Sequence, residues 1–129
     1  MSSNGVGYEH REQVIGRPED SAERWGNLGL PVLSTPAILG HMEMVCVRMI
    51  TPHLAPDQMT VGVAVELRHL APVPIGEPVD IVVRAADLGR RITVTFTVTD
   101  RHGQLVADGT HRRAVVNATE FRSRVDEGR

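Results

Sequence analysis

One segment of this 129-residue chain narrows its architecture more than any other: "TPAILGHMEMVCVRMITP", residues 35–52. Thr35 suits an N-cap and Pro36 a first helical position, and Pro52 and Pro56 halt the helix soon after Ile50. The pattern predicts one long helix over residues 36–50, apolar nearly all round. Such a helix must be covered on every side. The chain length fits one domain, residues 1–129, with room for a real core but not for two ordinary ones.

What can cover that helix follows it in the sequence. In "VGVAVELRH", simple alternation puts Val61, Val63, Val65, Leu67 and His69 on one face. "PVDIVVRAAD" puts Val79, Ile81, Val83 and Ala85 together, and "ITVTFTVTD" sets Ile92, Val94, Phe96 and Val98 against a row of threonines. "LGRR" and "DRHGQ" read as hairpin turns around that third strand. A last strand runs from Leu105 to Val116, and "TEFRSRV" closes as a short helix. Before the long helix, residues 7–14 form a short strand, "RPEDSAERWG" gives one or two helical turns, and "GNLGLPVLSTP" is loop. One central helix wrapped by an antiparallel sheet of about five strands is an α+β architecture.

Composition excludes several function classes. Hydrophobic residues make up 41% and charged residues 23%, a globular balance, and the net charge of −2 offers no basic footprint for nucleic acid. One cysteine permits no internal disulfide and suits a reducing compartment. The N-terminal stretch has no apolar core of signal-peptide length, and no run is long enough to span a membrane, so the expected location is cytoplasmic. There is no Walker loop, no GxGxxG and no GxSxG, and His10, His53, His102 and His111 show no metal-ligand spacing. Arg90, Arg91, Arg112 and Arg113 read as solvated surface.

The feature that asks for an explanation is Glu43. On the helical wheel its neighbours within about 60° are Pro36, Leu39, Gly40, Cys46, Val47 and Ile50, all apolar. No residue three or four positions away can form an ion pair with it. A carboxylate in that stripe is costly unless a partner comes from elsewhere in the fold or from another chain. His69, at the end of an inward strand face, is the candidate, and an acid facing an imidazole is either a catalytic pair or a buried hydrogen bond that holds the core. Thr35 offers a hydroxyl beside free backbone N–H groups at the positive end of the helix. That is either a cap or an oxyanion site. Cys46 has no charged sequence neighbour to lower its pKa and reads as core packing.

At these residues the chain resembles a known family. "LSTPAILGHMEMVCVRMITPHLAP", "GVAVELRHLAPVPIG" and "GTHRRAVVNATEFRSRV" are similar to the fluoroacetyl-CoA thioesterase-like family of hotdog-fold acyl-CoA thioesterases, over roughly residues 31–125. The resemblance implies a hotdog fold and hydrolysis of a small or medium acyl-CoA to free acid and coenzyme A. It implies catalysis by Thr35, Glu43 and His69, with Gly62 beside the substrate, and neither metal nor organic cofactor. The family's fluoroacetyl-specific type carries a phenylalanine lid in the loop before the threonine, where this chain has Gly26 and Gly29. A hotdog module that binds acyl-CoA without cleaving it is the alternative, and hydratase chemistry ranks below both because no Asp-x-x-x-x-His motif is present.

Assembly enters the reading too. Thr35 and Glu43 are eight residues apart, about 12 Å along a straight helix, too far to touch one thioester carbon unless the chain bends back before the helix. A sheet with an open edge is protected by pairing with a second copy. The expected species is a homodimer with active sites at the interface, acting on acyl-CoA, with neither nucleic acid nor membrane as a partner.

Overall fold

A computed structural model describes residues 7–128; residues 1–6 of the N-terminal stretch and Arg129 lie outside the described residues. The elements are β1 (Tyr8–Ile15), two 3-10 turns (Pro18–Asp20 and Ala22–Trp25), α1 (Thr35–Ile50) and a 3-10 turn (Thr51–His53). Then come β2 (Gln58–His69), β3 (Pro78–Ala85), β4 (Arg91–Asp100), β5 (Leu105–Asn117) and α2 (Ala118–Glu127). The five strands form one antiparallel sheet in the order β1-β3-β4-β5-β2, so β1 and β2 are its edges.

Alternation in β3 and β4 builds the core as expected. Val79, Ile81, Val83 and Ala85 face inward with Ile92, Val94, Phe96 and Val98, all buried, against Ile38, Met42, Val45, Cys46, Met49 and Ile50 of α1. Burial pushes the Cys46 thiol up to about 12, which keeps it protonated and inert as the sequence suggested. Gly109 on β5 is required by close packing. A methyl group there would run into the Glu66 carbonyl oxygen and stand 2.9 Å from Phe96 Cζ, and neither group can swing aside. Gly109→Ala should therefore cost on the order of 3 kcal/mol. A urea unfolding midpoint equal to wild type would count against it.

Two expectations need correction. The first concerns β2, which does not alternate without interruption. Its pairing with β5 slips between Gly62 and Ala64, leaving Val63 as an extra residue. Paired residues share a face, and the helix-facing residues of β5 include His111, Arg113 and Val115. So Thr60 and Gly62 face the helix before the bulge, and Val65, Leu67 and His69 after it. Val61 lies on the other face, because one inserted residue reverses the period-2 parity. The second concerns the cover over α1. A single sheet layer covers one side of a helix, and Met44 (45%) and Val47 (37%) remain exposed beside an open Gly40. Val63, Val65 and Leu70, on and just after the edge strand, are also exposed.

Candidate active site

Ser34, not Thr35, caps α1: its side chain accepts the Ala37 N–H at 3.2 Å. The local reason is register. Helical geometry starts one residue earlier than expected, so Thr35 is the first helical residue and its hydroxyl is released from capping. Pro36 has no N–H and the Ala37 N–H is used by Ser34, so the first turn has fewer free donors than an ordinary helix start. The freed hydroxyl meets the end of β2, where Thr35 Oγ1 lies 2.7 Å from His69 Nδ1, and the contact is exposed. A hydroxyl within hydrogen-bond reach of an imidazole is the minimal arrangement for a base-activated nucleophile.

Glu43 lies elsewhere. The helix and β2 run in opposite directions, so Thr35 meets His69 while Glu43, two turns on, meets Gly62. Gly62 and His69 are seven residues apart, roughly 20 Å along the strand. The expected Glu43–His69 pair is therefore not formed within one chain. Nor is Glu43 buried, for its side chain is 46% exposed. Its partner comes from β5, where Arg113 Nη1 donates to Glu43 Oε2 at 2.9 Å, with His111 Nε2 3.6 Å from the same oxygen.

Arg113 overturns the solvated-surface reading. It is 4% exposed and each of its three guanidinium nitrogens is hydrogen-bonded. Nε donates to Thr60 Oγ1 and Nη2 to the Thr60 carbonyl, both at 2.9 Å, and Nη1 also donates to His111 Nε2 at 3.1 Å. A buried arginine survives only with such partners. Gly62 has a defined reason to be glycine. A methyl group there would stand 2.7 Å from Glu43 Oε2 and 3.3 Å from His111 Cε1, so its absence makes the space for the carboxylate. Sequence reading missed Arg113 and His111, although a signal existed: two polar residues two positions apart, flanked by Ala107 and Val115, on an otherwise inward strand face.

Around the Glu43 carboxylate opens a crevice of about 450 Å³, walled by Met44, Val47, Val61 and Gly62. A larger cavity, about 600 Å³, lies between β5, α2 and the β3–β4 turn and holds none of these residues. In front of Thr35, residues 21–33 form a loop closed by Ala22 N–H donating to the Val32 carbonyl at 2.8 Å. Ser34 N–H holds it to the Asp20 carbonyl, and Gly26 (φ 106°) and Gly29 (φ 79°) turn it.

A long helix laid across a five-stranded antiparallel sheet, with a Thr–His couple at its start and a Glu–Arg couple in its middle, is the framework of a hotdog-fold thioesterase. The model of the fluoroacetyl-CoA-specific thioesterase family matches residues 17–119, and the chain belongs to that family. It is 32% identical over 95 residues to the fluoroacetyl-CoA thioesterase of Streptantibioticus cattleyicolor, covering 73% of this chain and 68% of that protein. A solved structure of a fluoroacetyl-CoA thioesterase superposes with a TM-score of 0.86 at 25% identity, covering 98% of each chain. A hot-dog-like protein from Thermanaerovibrio acidaminovorans gives a TM-score of 0.85 at 29% identity, covering 95% of this chain and 90% of that one.

Proposed function

We propose that the protein hydrolyses a small or medium acyl-CoA to the free acid and coenzyme A at two equivalent sites, each built by two copies of the chain. Thioester hydrolysis follows from the family; the division of labour rests on the Thr35–His69 contact of 2.7 Å. His69 takes the proton of the attacking hydroxyl, that of Thr35 or of a water beside it, and returns it to the departing CoA thiolate; where Thr35 attacks, a water activated by His69 then cleaves the acyl-threonine to the free acid and restores the hydroxyl. Glu43, held by Arg113, is the second acid–base group, and the Thr35 N–H, the one backbone donor of the first turn of α1 that neither Ser34 nor proline removes, stabilises the thioester oxygen with the backbone at Gly62.

Support for two copies comes from what one chain leaves open. Met44 and Val47 of α1 with Val63, Val65 and Leu70 make an apolar surface beside an edge strand, the combination that a self-complementary interface buries. Parity permits any register centred on a residue of β2, and one of these brings the two couples together. With two β2 strands antiparallel about a two-fold axis at Glu66, helix-facing residues stay on one side. The extra residue Val63 then sets His69 of each copy opposite the partner's Gly62, and therefore near the partner's Glu43. The single cysteine supports a cytoplasmic location, and no helix among the described residues is long and apolar enough to cross a membrane.

The test is release of free thiol across a panel of acyl-CoA thioesters. Turnover of at least one of them, lost in His69→Ala, is expected. Saturable binding with no thiol release from any substrate would replace the hydrolase with a binding module. Within that panel fluoroacetyl-CoA should show no large advantage over acetyl-CoA in kcat/KM. Gly26 and Gly29 set no aromatic side chain of their own against the acyl group, and the neighbouring Trp25 is exposed with Arg24 stacked 5.5 Å from its ring. A large fluoroacetyl preference would assign discrimination to another residue.

A further inference from the structure

His111 is 3% exposed, and both of its ring nitrogens are committed. Nδ1 lies 3.1 Å from the carbonyl oxygen of Ala64, the first residue after the β2 bulge, and Nε2 lies 3.1 Å from Arg113 Nη1. A carbonyl can only accept and a guanidinium can only donate. The pair of contacts therefore fixes one neutral tautomer, with the proton on Nδ1 and a lone pair on Nε2. Thr60 accepts from Nε and Nη2 of the same arginine, so Nη1 divides its two hydrogens between His111 and Glu43.

We propose that His111 is a positioning residue for thioester hydrolysis: its Nε2 lone pair holds Arg113 where Nη1 presents to the Glu43 carboxylate. The proposal rests on the reading of Glu43 as a participating group. His111 itself has no path to substrate, because Gly62 and Glu43 lie between it and the crevice.

A pH response follows from the same contacts. The ionisable groups facing His111 are Arg113 on its own strand and Glu43 and Cys46 on α1; β2 contributes only Thr60 and the Ala64 carbonyl. Burial first, and Arg113 next among the opposing charges, hold the imidazole below the ordinary 6.5, against the Ala64 carbonyl and Glu43, which favour the cation. Once protonated, Nε2 can no longer accept from Arg113. It becomes a rival donor to Glu43 Oε2, 3.6 Å away, and two cations compete for one carboxylate. The folded chain binds this proton less readily than the unfolded one. The His111 contribution to stability is thus complete above 6.5 and is lost as pH falls through the lowered value.

The experiment compares wild type, His111→Gln and His111→Leu in kcat and KM between about pH 5 and about pH 8. Leucine leaves Arg113 without its acceptor and should lower kcat roughly 100-fold with little change in KM. Glutamine offers Oε1 in place of Nε2. It should recover activity to within about tenfold of wild type, and its acid limb should lose one ionisation. Full kcat in His111→Leu, or a glutamine variant as poor as leucine with the wild-type acid limb, would overturn the proposal. If both variants fail to fold, nitrogen NMR of the wild-type imidazole decides: an Nδ1–H tautomer at neutral pH supports it, and an Nε2–H tautomer or a charged ring refutes it. A wild type that releases no thiol strikes at the hydrolase reading, whereas an Nδ1–H ring there still upholds the His111–Arg113 contact.

Discussion

A Thr35→Ala chain and a Glu43→Ala chain, each inactive alone, should regain about a quarter of wild-type turnover when unfolded and refolded together in equal amounts. Random pairing makes half of the dimers mixed. If Thr35 and His69 of one copy work with Glu43 of the other, a mixed dimer has one site with both lesions and one with neither. Geometry within a single chain motivates the prediction: His69 is bonded to Thr35, while Glu43 sits with Gly62 roughly 20 Å away along β2. If each site drew all its groups from one chain, every site in every dimer would carry a lesion and the mixture would stay inactive. Light scattering on the same samples gives the second arm. A fully active monomer at assay concentration would remove the interface from the mechanism altogether.

Gly62→Ala should lower kcat by roughly 100-fold while leaving the fold nearly as stable as wild type. The two effects separate because of what the new methyl group meets. Its closest neighbour, at 2.7 Å, is Glu43 Oε2, the end of a flexible side chain that is 46% exposed and free to swing into the crevice. The next, His111 Cε1 at 3.3 Å and Arg113 Nη1 at 3.5 Å, need yield little. Moving the carboxylate breaks its 2.9 Å bond to Arg113 but leaves the guanidinium with three other bonds, so the stability cost should stay below about 1 kcal/mol. The chemistry tolerates no such shift. Combining Gly62→Ala with Glu43→Gln tests the cause: if the glycine acts only by placing the carboxylate, the second change adds little to the first. Wild-type kcat in Gly62→Ala would mean that the carboxylate position is not used.

Several parts of this site were legible because they depend on local chemistry. Pro36 and Pro52 bound α1 whatever packs on it, and strict alternation in "ITVTFTVTD" survives as the buried row Ile92, Val94, Phe96 and Val98. Glu43 stood out because its helix offered no partner, and the partner did come from outside the helix. It came from Arg113 and not from His69. Two adjacent arginines in "THRRA" look equally solvated in sequence. Only strand parity on β5 turns Arg113 inward and leaves Arg112 exposed.

By itself the sequence determined the order of the five strands and the two α-helices, the apolar faces of β3 and β4, and the limits of α1 to within one residue; it singled out Thr35, Glu43 and His69 as candidates from their positions and Gly62 through its likeness to a family. Those follow from φ restriction at proline, from the periods of helix and strand, and from motif spacing. The tertiary structure decided which of these residues meet. One bulge at Val63 inverts the parity of half a strand, Ser34 takes the cap and frees Thr35, and the opposed directions of α1 and β2 put Thr35 with His69 and Glu43 with Gly62. The bulge and the opposed directions are not readable locally, because each depends on pairing between segments tens of residues apart, where a slip of one residue exchanges inside for outside, whereas the cap is a local choice between the adjacent hydroxyls of Ser34 and Thr35.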